Sequence, residues 1–109
     1  MSLQKVKKLT ETLALACGIA RPEVDFKHLD GGSSGGSYYV AHQHRIVLTG
    51  KLSVVTFLHE FGHSMGMGER ETCRWSINLF RKCFPAEYGK LIHVGHTLVL
   101  PSSIKKNGR

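Results

Sequence analysis

The sequence predicts a single α+β domain, residues 1–109: an N-terminal helix, a small twisted sheet with a hairpin, a helix bearing His-Glu-x-x-His, and a glutamate-bearing helix after it. Three observations predict this. Apolar residues recur at helical spacing in three separate stretches. Three short runs rich in β-branched and aromatic residues lie between the first stretch and the second. Gly or Pro stands at the junctions, at Gly18, Pro22, Gly50, Gly66 and Pro85.

Taken in order, Leu3, Val6, Leu9, Leu13 and Ala16 space a helix over 3–17, and Gly18 stops it. After Pro22, residues 23–29 alternate as a strand does. Residues 30–36 form a Gly/Ser-rich loop without the Lys-Ser/Thr ending of a phosphate-binding loop. Residues 37–41 and 45–49 read as two strands, and His42-Gln43-His44 between them reads as a hairpin turn with solvated histidines.

Gly50 leads into the motif helix, about 52–65, and Gly66 and Gly68 turn the chain. A further helix, about 69–84, carries the apolar stripe Thr72, Trp75, Ser76, Leu79 and Cys83, with Phe80 beside it, and stops at Pro85. A short helical piece over 86–91 follows. The pattern of 93–100 fits helix and strand equally, and 102–109 read as a flexible basic tail.

A chain of 109 residues buries one modest core. The net charge of +7 allows an acidic partner, but no aromatic residues interleave with a basic run as a base-stacking surface requires. The basic residues read as a solvated surface, which argues against nucleic acid. Three cysteines without a C-x-x-C pair suit reduced thiols in a cytoplasmic protein, and read as small packing residues. No apolar run is long enough to cross a membrane.

The chemistry is concentrated in His59-Glu60-Phe61-Gly62-His63. Histidines four apart share one helix face, so each can offer a ring nitrogen to one zinc ion. Glu60 then stands beside the metal, placed to act as general base on a water there. Val54, Leu58, Phe61 and Met65 fall on the opposite stripe and predict the buried side. A catalytic zinc takes a third protein ligand and keeps one open position. The candidates are Glu69 and Glu71, with His93 and His96 further on.

Residues 59–63, HEFGH, followed by ERETCRWSINLF over 69–80, resemble the short gluzincin branch of the zincin metallopeptidases. The chain is similar to the single-domain minigluzincins and to the antirepressor-type HExxH proteases of mobile elements. The likeness is strongest over 38–84. It implies zinc held by His59, His63 and Glu71, since Glu71-Thr72 and Trp75-Ser76 follow the order of that branch. Residues 59–66 also satisfy HExxHxxG, the start of the metzincin pattern, which would put the third ligand at Glu69. No methionine follows Met67 to form the Met-turn of that clan. The acid that orients a ligand histidine in thermolysin-type enzymes would fall at Trp75, so the sequence identifies no such partner.

These residues together imply a zinc-dependent endopeptidase in which Glu60 activates the attacking water. A peptide or protein substrate would add to an edge strand formed by Tyr38, Tyr39, Val40 and Ala41. The alternatives are a latent or regulatory zincin-fold binding module, and a basic nucleic-acid-associated protein.

Overall fold

Helix α1 (Leu3–Cys17) begins where Ser2 Oγ accepts the amide of Lys5 at 3.2 Å and ends where Gly18 turns left-handed, at φ 70°. Val6, Thr10 and Ala14, four apart, make its buried stripe. Thr10 is accommodated there because its hydroxyl donates to the Val6 carbonyl at 2.7 Å. The structure, a computed structural model, describes residues 2–27, 36–50, 53–94 and 97–99, the last three and Val94 by their backbone alone. The Gly/Ser-rich stretch as far as residue 35 and the basic tail lie outside the described residues.

Three strands form the main sheet, β1 (Glu23–Lys27), β2 (Tyr38–Val40) and β3 (Arg45–Thr49), in the order β1-β3-β2. β3 runs parallel to β1, with Val24 opposite Ile46, and antiparallel to β2, with Tyr39 opposite Ile46. The centre of β3 is an unbroken apolar run, and Ile46, Val47 and Leu48 are all buried, as a strand covered on both faces requires. β2 is an edge strand. Its hairpin closes through a short 3₁₀ turn (Ala41–Gln43) and His44, which sits in the left-handed region at φ 47°.

His44 is not the solvated turn residue expected from sequence. Its Nδ1 meets the Tyr39 hydroxyl at 2.7 Å and its Nε2 meets the Ala20 carbonyl at 2.7 Å. The ring thereby ties the hairpin to the segment entering β1, and two good polar partners outweigh its exposure to water. His42 remains exposed, as expected.

The motif helix, α2 (Val54–Ser64), lies against β2 and β3 and drives Phe57, Leu58 and Phe61 into the core with Val6, Val24, Ile46 and Leu48. Helix α3 (Glu69–Cys83) packs mainly on α2. Its buried face is Thr72, Cys73, Ser76 and Phe80, about one residue round from the expected stripe. Trp75 and Leu79 flank the core, and Cys83 is exposed.

Cys17 is exposed too, so of the three thiols only Cys73 packs inside. A short helix α4 (Pro85–Tyr88) and an antiparallel pair, β4 (Ile92–Val94) and β5 (Thr97–Val99), complete the described chain. The described parts of the ambiguous run, 93–94 and 97–99, are thus extended. No helix among the described residues is long and apolar enough to cross a membrane.

Candidate metal centre

Ser53 caps α2 by accepting the Thr56 amide at 3.4 Å, and the helix then carries His59 and His63 on one face. Their rings stand 4.9 Å apart between centroids. Phe57, Leu58 and Phe61 take the opposite face into the core, so the imidazoles face outward only partly covered. Glu60, between the two faces, is 7% exposed.

Gly62 sets how closely α3 can approach. A Cβ at this position would lie 1.9 Å from Thr72 Oγ1 and 2.8 Å from Thr72 Cβ. The missing side chain lets the two helices touch, and the Thr72 hydroxyl donates to the His59 carbonyl at 2.6 Å. A left-handed Gly66, at φ 92°, turns the chain back from the end of α2 toward its own histidines.

That return delivers Glu69, the first residue of α3. Its Oε1 lies 3.0 Å from His63 Nε2 and 3.3 Å from His59 Nε2. Glu71, the third ligand implied by the family resemblance, is not brought to the histidines. It lines a separate groove with Arg70, Arg74, Trp75 and Asn78. The reason is rotational: two residues along a helix is about 200°, so with Cys73 buried against α2, Glu69 one turn earlier shares its face and Glu71 points away. The HExxHxxG spacing, which ends at the left-handed glycine, is the signal for Glu69. Thr72 and Cys73, small and one turn after it, mark the face that meets α2.

Three donors at about 2.0–2.1 Å from a tetrahedral zinc stand about 3.3 Å from one another. The separations of 3.0 and 3.3 Å from Glu69 Oε1 to the two Nε2 atoms agree with that for the two pairs that include the carboxylate. The other ring nitrogens of the two histidines are also engaged. His63 Nδ1 lies 2.9 Å from the Met67 carbonyl, and His59 Nδ1 lies 3.6 Å from Cys73 Sγ. Among the described residues, His59, Glu69 and Cys73 form a group whose donor atoms all lie within 4.8 Å of one another, close enough to share an ion. His93 lies elsewhere, its Nε2 at 2.9 Å from the Tyr88 hydroxyl.

Burial pushes the Glu60 carboxyl up to about 7, with the positive charge of His63 opposing the rise and the negative charge of Glu69 adding to it. Burial acts to raise Glu69 as well, but the charge of His59 and hydrogen bonds from His63, Cys73 and His59 prevail, and its carboxyl is lowered. In one cleft, one carboxyl is thus poised near neutrality while its neighbour stays ionised.

The cleft holds about 640 Å³ and is open to solvent. Tyr38, Tyr39 and Ala41 of the hairpin form one wall, Gly66 and Met67 the other, and His59, Glu60, His63 and Glu69 lie between. Val40, grouped with the hairpin residues in the sequence reading, does not line it. The edge strand therefore runs beside the histidines. Comparison with known families, curated proteins and solved structures finds no match to this chain.

Proposed function

We propose that this protein is a zinc-dependent endopeptidase, with His59, His63 and Glu69 holding the metal. The observation that carries this reading is one carboxylate oxygen of Glu69 lying 3.0 and 3.3 Å from the Nε2 atoms of two histidines, beside a buried glutamate in an open cleft. Zinc bound there would polarise the scissile carbonyl and make a water nucleophilic near neutral pH.

Glu60, buried beside that position, would be the general base that takes the water's proton and returns it to the leaving amine. A peptide laid along the outer edge of β2 would pair by backbone hydrogen bonds, as strand addition requires, and pass over the histidines. With Glu69 as ligand the chain keeps the HExxH helix and glutamate helix of the gluzincin-like resemblance, but takes its third donor at the metzincin-like spacing. Three unpaired thiols, two of them exposed, favour a cytoplasmic setting.

The test is metal analysis of the purified protein together with a protease assay on an unstructured protein. One zinc per chain is expected. Glu60→Gln should keep the zinc and lose about 10²–10⁴-fold in hydrolysis. Absence of zinc after metal-replete purification, or full activity in Glu60→Gln, would refute the reading.

A further inference from the structure

The sequence offers no acid to orient the ligand histidines, yet the structure supplies a group at each one. For His63 it is the Met67 carbonyl. For His59 it is a side chain, Cys73, buried on the face of α3 that packs against α2. Cys73 Sγ lies 3.6 Å from His59 Nδ1 and 3.6 Å from Glu69 Oε2. Both fall within reach of sulfur hydrogen bonds.

A ligating His59 must present the lone pair of Nε2, so its proton sits on Nδ1, where it faces the sulfur. Sulfur accepts that proton weakly, and its own S–H is free to donate to the carboxylate. One residue thereby touches two of the three donors. A carboxylate in its place would stand beside Glu69, two like charges at one end of α3.

We propose that Cys73 is a positioning residue of this centre: its sulfur accepts the Nδ1–H of His59 while its S–H donates to Glu69 Oε2, fixing the ring tautomer and the carboxylate together. This rests on the zinc reading above. The thiol acts through His59 and Glu69 and is not itself a ligand.

Zinc affinity, measured by competition with a chelator, should fall about 10–100-fold in Cys73→Ala, the usual effect of losing an outer hydrogen-bond partner. Cys73→Ser, which keeps a donor and an acceptor, should recover a large part of it. A purely packing role gives the opposite order, because alanine suits an apolar site better than serine.

In the zinc-loaded protein, the His59 Nδ1–H should appear by NMR as a slowly exchanging ring proton. It should exchange quickly in Cys73→Ala, while that of His63 is unchanged. Wild-type protein that binds zinc, with equal affinity and equal proton exchange in Cys73→Ala, overturns this inference and leaves the zinc reading standing. Wild-type protein that binds no zinc overturns both. In the cobalt-substituted protein, a near-ultraviolet thiolate-to-cobalt charge-transfer band lost in Cys73→Ser would make Cys73 a ligand and overturn the positioning role.

Discussion

Gly62→Ala tests whether helix contact, rather than motif alone, assembles the centre. The added methyl would lie 1.9 Å from Thr72 Oγ1, 2.8 Å from Thr72 Cβ and 3.3 Å from Met67 Sδ. Rotating Thr72 can remove the first clash, but it forfeits the 2.6 Å bond to the His59 carbonyl. The second clash is with an atom fixed to the α3 backbone, so the helix itself must retreat. Overpacking of this kind costs about 1–3 kcal/mol, and the lost hydrogen bond about 0.5–1.5 kcal/mol. The better helix propensity of alanine returns about 0.5–1 kcal/mol.

The net expectation is a loss of about 0.5–4 kcal/mol in urea unfolding, together with weaker zinc binding as Glu69 moves away with α3. Adding Thr72→Ala removes the 1.9 Å contact but leaves the 2.8 Å one, so a double-mutant cycle should show partial recovery. A Gly62→Ala protein as stable as wild type, with the same zinc affinity, would show that α2 and α3 do not meet here and that Glu69 is not held as described.

Glu69→Ala should weaken zinc by more than the about 10–100-fold that an outer partner is worth, while Glu71→Ala leaves affinity near wild type. A zinc titration showing the reverse would restore Glu71. For the metal-free protein, the folded Glu60 carboxyl lies at about 7, above its ordinary 4.5, so its stabilising contribution is full below about pH 4.5 and lost as pH rises through 7. Melting from about pH 5 to 8 should therefore fall more steeply in wild type than in Glu60→Gln. The gap is at most about 3 kcal/mol before solvent screening at the open cleft reduces it, and equal slopes would refute the burial argument. Cys17→Ser and Cys83→Ser should each stay within about 0.5 kcal/mol of wild-type stability in the same unfolding assay, since both side chains are exposed.

Helices with strong periodicity and end signals were legible in the sequence. α1 keeps its predicted span, because Gly18 must turn left-handed and Val6, Thr10 and Ala14 share one stripe. β3 was legible from its apolar run, but not its parallel pairing with β1, since period-two patterning fixes a face and not a neighbour. His44 misled because two polar partners, Tyr39 and the Ala20 carbonyl, come from different parts of the chain. Cys17 and Cys83 misled for a simpler reason: a small apolar residue at the end of a helix has no core left to enter.

The choice between Glu69 and Glu71 shows where local reasoning stops. A residue at a helix start is expected to fray, which favours a ligand one turn further in. That holds for an isolated helix. Here the first turn of α3 is tied to α2 by the Thr72 hydroxyl, which donates to the His59 carbonyl, while within the turn the Thr72 amide donates to the Gly68 carbonyl at 2.9 Å and Cys73 touches Glu69 itself. Tertiary contact therefore steadies the helix start on which the proposed ligand Glu69 stands. The carboxylate also sits at the positive end of the helix, where negative charge is favoured. Sequence carries the traces of this, in the small residues Gly62, Thr72 and Cys73 and in the turn at Gly66, but each becomes decisive only once α2 and α3 are known to touch.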